Sequence, residues 1–254
     1  MDVFWSVYIG IVGLIFGSFF NVVGLRVPKR ESIISPRSRC STCGTTLQAI
    51  DLIPVLSYLM IGGKCRTCKA RVSCFYPIIE SLTAVLYLAA WFSWGLSWQM
   101  LAALLLISLL IIIIVSDIST MLIPDKILIV FTIPILLIRM TAAPLDPWWN
   151  AWAGAALGFV LLLVLAIISK GGMGGGDIKL FALLGLFFGW QGLVLTFFLA
   201  VFLGAVIGGI GMLIGKVQRG VPMPFGPFIA AGSIITLFIG DNLLTWYTDF
   251  FIDK

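Results

Sequence analysis

Two aspartates stand where long apolar segments end or begin. Asp117 closes the run LLIIIIVSD, and Asp177 opens DIKLFALLG after a run of glycines. A charged side chain at the centre of a membrane helix costs about 2.5 kcal/mol or more, so acids on such segments are candidates for function. If the two carboxyl groups meet, they can share one proton; the ionised acid then activates water while the neutral acid polarises a peptide carbonyl. The pair predicts an aspartic protease site.

Helix dipoles favour this division of roles. The C-terminal end of a helix disfavours a negative charge at Asp117, whereas the N-terminal end of the next apolar segment favours one at Asp177. If the acids lie together, we expect one to be protonated and the other ionised. Because such a pair titrates as a unit, the assignment of roles is a hypothesis.

The glycines before Asp177 suggest how a substrate reaches the acids. Gly174 and Gly176 belong to the stretch GGMGGGD, which begins at Gly171. Glycine permits positive φ and close backbone approach, and non-helical backbone at membrane depth is tolerated where it lines a wet cavity. A glycine run is also the usual mark of a flexible loop between two helices. The second acid at matching depth favours the interpretation as an active-site loop.

Four of the five cysteines form two Cys-x-x-Cys pairs, CSTC and CRTC. A two-residue gap lets both sulfurs of a pair reach one tetrahedral ion, and the two pairs together predict a zinc site. A redox pair or disulfides are the alternative, which a reducing cytoplasm disfavours. The expected zinc ligands are Cys40, Cys43, Cys65 and Cys68.

The expected role of this zinc is structural. A loop of about 50 residues builds too small a core to fold alone, so the metal would hold it together. Cys74 lies outside the pairs and is predicted to be a small buried side chain at the start of the second span.

Membrane helices must position these groups. The 254 residues are 61% apolar and only 11% charged, and the mean hydropathy is +1.14. A bilayer core needs roughly 20 apolar residues in a helix. The sequence therefore predicts an all-α polytopic membrane protein with about eight transmembrane helices and one small zinc-ribbon-like cytoplasmic loop domain. The expected spans are residues 3–25, 76–95, 98–117, 122–140, 150–169, 177–190, 192–215 and 225–247.

The cations predict the orientation. Nine of the sixteen Lys and Arg residues lie between Arg26 and Arg71, where the only acids are Glu31 and Asp51. Positive loops stay inside, so this segment is expected to be cytoplasmic and the N-terminus outside. The same threading places five more cations and both aspartates at the cytoplasmic face. Those cations are Lys126, Lys170, Lys179, Lys216 and Arg219.

Three domains follow from this arrangement. They are the first transmembrane helix at 1–25, the four-cysteine loop domain at 26–75, and a multi-helix catalytic domain at 76–254. The first span has no basic leader and is expected to remain as an anchor. Since the cations are confined to loops beside the membrane, anionic lipid accounts for them and a nucleic-acid partner is not expected.

Two further acids have less certain roles. Asp125 follows Pro124 in LIPDK, a common pair at a helix start, and is predicted to be mainly structural. Glu80 lies about one turn inside the second span and can pair with a loop cation or a backbone N–H, so its role stays open.

In order along the chain, several motifs resemble those of type IV prepilin peptidases, which are membrane aspartyl proteases of the GxGD class. The resemblance covers most of the chain. One departure is Ser119, where many relatives carry a further acid. The motifs are GSFFNVVGLRVP at 17–28, the two cysteine pairs around DLIPVLSYL, YPIIE at 76–80, DISTMLIPD at 117–125, GGGDIKL at 174–180 and FGPFIA at 225–230.

The resemblance implies a function. Asp117 and Asp177 would be the catalytic pair, and the substrate would be the leader of a prepilin or pseudopilin, cut at the cytoplasmic face of the bacterial inner membrane. It also implies a second activity, N-methylation of the new N-terminal residue with S-adenosylmethionine. No Gly-rich strand-turn-helix fingerprint for that cofactor is present. Methylation therefore rests on the resemblance alone.

Other classes of protein make different predictions. The chain contains no histidine, which removes the base of a serine protease and the ligands of an HExxH metalloprotease. An ion- or proton-coupled transporter also uses paired intramembrane acids, but would place them near the midplane between inverted repeats. A zinc-stabilised scaffold without chemistry would tolerate loss of either aspartate.

Overall fold

The computed structural model describes residues 2–169, 173–215 and 223–251. Within these ranges every regular element is helical, apart from two isolated β-bridges in the cysteine loop. Lys170, Gly171, Gly172, Lys216 and Arg219 lie outside the described residues. The helices are α1 (Asp2–Arg26), a 3₁₀ turn (Ala49–Leu52), α2 (Leu56–Met60), α3 (Phe75–Trp94), α4 (Trp98–Thr120), α5 (Asp125–Thr141), α6 (Asn150–Ile168), α7 (Gly175–Leu213) and α8 (Gly226–Phe251).

Six of these helices are long and apolar enough to cross a membrane: α1, α3, α4, α6, α7 and α8. The chain is therefore an all-α, multi-pass membrane protein. The span expected at 122–140 is α5, which has 17 residues and contains Pro134, near the lower limit for a crossing. The spans expected at 177–190 and 192–215 form the single element α7. Helix α4 runs to Thr120, so Asp117 lies about one turn before the helix end and not at it.

A break at Gly189 divides α7 into two helical parts. Gly189 has φ 74° and ψ 179°, a conformation that only glycine adopts readily. The break releases the N–H of Trp190, which donates to Oδ1 of Asn150 at 3.0 Å. A Cβ on Gly189 would lie 2.5 Å from the same oxygen. Asn150, the first residue of α6, thus caps the second part of α7.

The chain forms two compact units, residues 1–100 and 101–254. In the first unit, α1 packs against α3 through small residues. A Cβ on Gly13 would lie 2.6 Å from Cα of Ala84, and one on Gly17 would lie 2.7 Å from Cα of Glu80. Close backbone approach of this kind is how membrane helices gain packing energy.

The second unit has its core around α4, where Leu106, Leu109 and Ile113 are fully buried. Helices α6 and α7 cross at Gly154 and Gly185, whose backbones touch so closely that neither position can accept a Cβ. Helices α7 and α8 are joined by a hydrogen bond from Thr196 Oγ1 to Thr236 Oγ1 at 3.0 Å, in a fully buried setting. These contacts fix the relative positions of helices in the unit that carries the two aspartates.

Replacing Asn150 with Ala should destabilise the second unit. The change leaves the N–H of Trp190 without its acceptor, which costs about 1–3 kcal/mol for a buried group. Reversible unfolding in mixed micelles would measure the loss. Asn242→Ala, at an exposed position of α8, is the matched control. Equal stability of the two variants would contradict the capping role.

Candidate active site and tetracysteine cluster

Asp117 is buried near the end of α4 and is held by the start of α8. Only 6% of its surface is exposed. The backbone N–H of Gly226, the first residue of α8, donates to Oδ2 of Asp117 at 2.7 Å. This N–H belongs to the first turn of a helix and has no partner within that helix. The contact brings together two segments that are 109 residues apart in the chain.

Asp177 occupies the first turn of α7. The N–H of Gly174 donates to Oδ2 of Asp177 at 3.2 Å, so the side chain closes the helix start in the manner of a capping residue. The side chain is partly buried. This hydrogen bond fixes the position of the Asp177 carboxyl group relative to Gly174.

The parts of α4 and α7 that carry Asp117 and Asp177 lie near each other in the second unit, because the loop after α4 packs against the start of α7. This loop, residues 121–124, leads from α4 into α5. A Cβ on Gly176 would lie 2.7 Å from Cβ of Ile123 in that loop. Lys179 of α7 pairs with Asp125 of α5, with 2.7 Å between Nζ and Oδ2.

The predicted loop glycines differ in their surroundings. Gly174 supplies the N–H that reaches Asp177, whereas Gly176 allows the start of α7 to pack directly on Ile123. Gly175 is exposed, and a Cβ there would meet nothing within 4 Å. Of the three, Gly176 is the residue whose lack of a side chain the packing requires.

Glu80, whose role the sequence left open, accepts a backbone hydrogen bond. It is 8% exposed on α3, and its Oε2 accepts from the N–H of Val55 at 2.8 Å. Ser18 of α1 donates a second hydrogen bond to the same carboxyl group. Glu80 therefore ties the cysteine loop to the helix pair of the first unit.

The four paired cysteines come together at one point. Their sulfur atoms all lie within 4.8 Å of one another. The distance is 3.8 Å between Sγ of Cys40 and Cys68, and 3.9 Å between Sγ of Cys43 and Cys65. Tetrahedral zinc with bonds of about 2.3 Å separates its sulfur ligands by about 3.8 Å. The cluster has the dimensions of a four-thiolate metal site.

The two pairs sit in equivalent turns. In the first turn, the N–H of Gly44 donates to the carbonyl of Cys40, and Cys40 donates to Thr45. In the second, Lys69 donates to Cys65, and Cys65 donates to the carbonyl of Ala70. Each turn has a residue with positive φ at the same place, Gly44 and Lys69, and each is closed by an isolated antiparallel bridge. Two copies of one backbone turn present the sulfurs.

Local hydrogen bonds lower the pKa of Cys43 and Cys65 and so favour their thiolate forms, whereas desolvation and the neighbouring cysteines raise the pKa of Cys68 to about 11. The hydroxyl and backbone N–H of Thr45 lower the pKa of Cys43 to about 6. Cys65 lies at the protected end of the cluster, with 7% of its surface exposed. In contrast, Cys74 is exposed and precedes the first turn of α3. The prediction that Cys74 is buried was wrong, because a helix N-cap at the edge of the loop faces outward.

One contact of the site and one contact of the fold were not found from the sequence. Gly226 lies in the motif FGPFIA, but nothing in that pattern indicates that its N–H reaches Asp117. Asn150 precedes an apolar segment and resembles an ordinary helix start. Its partner, Trp190, is 40 residues away. In both cases, the only signal in the sequence was a glycine at or next to the start of a helix.

Fold and site together define a multi-pass membrane protein with a tetracysteine loop and with acids near the end of α4 and at the start of α7. The model of the bacterial peptidase A24 N-terminal domain matches residues 11–94, and that of the type IV leader peptidase family matches residues 104–209. No solved structure gives a significant match. The chain belongs to the type IV leader peptidase family.

Several relatives carry the name prepilin leader peptidase/N-methyltransferase. The relative from Bacillus subtilis (strain 168) is 46% identical over 93% of this chain and 95% of its own length. The relative from Pseudomonas aeruginosa is 35% identical over 94% of this chain and 92% of its own. The relative from Legionella pneumophila is 32% identical over 98% and 96% of the two chains. The similarity extends over nearly the whole of each protein.

Replacing Cys65 with Ser should abolish metal binding, because a tetrahedral site that loses one thiolate loses a quarter of its ligands. Plasma mass spectrometry of the purified chain would report one metal ion in the native protein and little in the variant. Cys74→Ser should retain the metal. Equal metal content in both variants would show that the four sulfurs do not form the site.

Proposed function

We propose that this protein is a membrane aspartyl endopeptidase that removes the leader peptide of type IV prepilins or pseudopilins, with Asp117 and Asp177 as the catalytic pair. The proposal is supported by two acids that each accept a backbone N–H beside the contact between the loop after α4 and the start of α7, within a member of this peptidase family. The relatives are named for peptidase and methyltransferase activities, and nothing in them favours transport.

The chemistry needs one ionised and one protonated carboxyl group. The ionised acid takes a proton from water, and the resulting hydroxide attacks the carbonyl carbon of the scissile peptide bond. The protonated acid donates to the carbonyl oxygen. Collapse of the tetrahedral intermediate breaks the C–N bond, and a proton from the pair passes to the leaving amine. Gly226 and Gly174 hold the carboxyl groups in place through their N–H groups.

The second proposed activity is N-methylation of the amine that cleavage exposes. S-adenosylmethionine would supply the methyl group: its S–CH₃ bond would break to leave S-adenosylhomocysteine, and the amine would lose a proton as the new C–N bond forms. The part of the chain that the structure describes contains no strand followed by a Gly-rich turn and a helix. Binding in the Rossmann manner is therefore not supported by these residues.

We further propose that the metal is zinc and that it is structural. Cys40, Cys43, Cys65 and Cys68 provide four sulfurs at tetrahedral spacing and leave no position for a catalytic water. From the distribution of cations we propose that the loop is cytoplasmic and the N-terminus is outside. A location in the bacterial inner membrane fits the family. The protein's partners are then the prepilin or pseudopilin substrates and the lipid bilayer.

Incubation of the purified protein with a prepilin and S-adenosylmethionine tests both activities by mass spectrometry. Leader loss and the gain of a methyl group are expected. Asp117→Asn and Asp177→Asn should each lower the cleavage rate by about 100-fold or more, because each removes half of an acid-base pair. Asp241→Asn, at an exposed position of α8, should cleave normally. Substantial cleavage by either active-site variant would rule out the dyad.

A second prediction concerns the start of α7. Gly176→Ala would place a methyl group against Ile123. We expect this clash to move Asp177 relative to Asp117. A misplacement on this scale is expected to lower the cleavage rate by roughly 10- to 100-fold. Gly175→Ala adds the same methyl group in open space and should leave the rate nearly unchanged. The ratio of the two kcat values measures the effect; a ratio near one would contradict close packing at Gly176.

A further inference from the structure

Helix α2 has its apolar side outward. Leu56, Leu59 and Met60 are 58%, 67% and 69% exposed, and they share one face because they stand at positions i, i+3 and i+4. Ser57, a polar residue, is instead 8% exposed. Tyr58 also faces the loop, since its Oη lies 3.5 Å from the carbonyl of Val72. In water, this arrangement would be the reverse of a stable amphipathic helix.

Cations adjoin this apolar face. A cavity of about 430 Å³ begins at the end of α2. Arg66 pairs with Asp51 at 2.5 Å, whereas Lys64 and Lys69 have no ion pair among the described residues. The face and the cavity together present apolar side chains bordered by positive charge. The cavity is lined by Met60, Ile61, Lys64, Cys65, Arg66 and Lys69.

The position of α2 in the chain sets what can cover it. The loop leaves the membrane helix α1 at Arg26 and enters α3 at Phe75. The residue before α2, Val55, donates its N–H to Glu80, which lies in the second turn of α3. Val55 has φ 60°, a costly conformation for a β-branched residue. The start of α2 is therefore held beside the end of a membrane-spanning helix.

We propose that α2 docks on the surface of the bilayer that contains the protein, with Leu56, Leu59 and Met60 inserted among the lipids and Lys64 and Lys69 beside anionic headgroups. Apolar side chains bordered by Lys and Arg are the signature of segments that lie in the membrane interface. Anionic leaflets attract such cations by about 1 kcal/mol each. The same positive charge disfavours a basic peptide as the occupant. The face is thus a lipid contact and not a substrate site.

Site-specific photo-crosslinking in lipid nanodiscs tests this contact. A benzophenone-bearing phenylalanine replaces Leu59 in one variant of the full chain and Tyr58 in a second, so that one probe stands on the exposed face of α2 and the other on the side that contacts the loop. The nanodiscs contain phosphatidylcholine alone or with phosphatidylglycerol. Retained metal and retained prepilin cleavage show that each variant is folded.

We expect lipid adducts at position 59, in several-fold higher yield than at position 58, and more of them when phosphatidylglycerol is present. Lys64→Gln and Lys69→Gln should each weaken the preference for anionic lipid by about fivefold. Equal lipid labelling at both positions would overturn the proposal. So would labelling at position 59 that goes to added prepilin or to a second copy of the chain and not to lipid. Variants that lack Asp117 or Asp177 are expected to give the same lipid labelling. A failure of the lipid-contact proposal can therefore be distinguished from a failure of the proposed function.

Discussion

Backbone N–H groups at the starts of helices have no partner in their own helix, and in an apolar environment each needs an acceptor from elsewhere. This protein meets the requirement with side chains from other segments. Glu80 accepts from Val55, Asp117 from Gly226, and Asn150 from Trp190. The same bonds that satisfy the backbone join distant parts of the chain. The position of Asp117 depends on one of these bonds.

Much of the architecture follows from apolar segment length. The spans at 3–25, 76–95 and 150–169 correspond closely to α1, α3 and α6. The gap expected after residue 190 corresponds to the break at Gly189, where the backbone of α7 leaves the helical conformation. The predicted division into domains at 1–25, 26–75 and 76–254 stays a prediction beside the two compact units.

The sequence predicts the reactive residues of the candidate site but not the contacts that hold them in place. Two acids at the ends of apolar runs, and two Cys-x-x-Cys pairs, are visible because their chemistry is unusual at those places. The N–H of Gly226 is invisible by the same reasoning, because every non-proline residue has one and only the fold decides which reaches Asp117. Cys74 was assigned by residue type, whereas its exposure depends on its place before α3. Local pattern specifies reactive groups, and tertiary contacts specify how they are held.

Two independent restraints hold the cysteine loop. The sulfur cluster joins its two turns to each other, while the carboxylate of Glu80 attaches the residue before α2 to α3. A chelator would remove the first restraint and spare the second. Metal-depleted protein would then keep a tethered but loosened loop, so damage by chelation would be local and reversible on resupply of the ion.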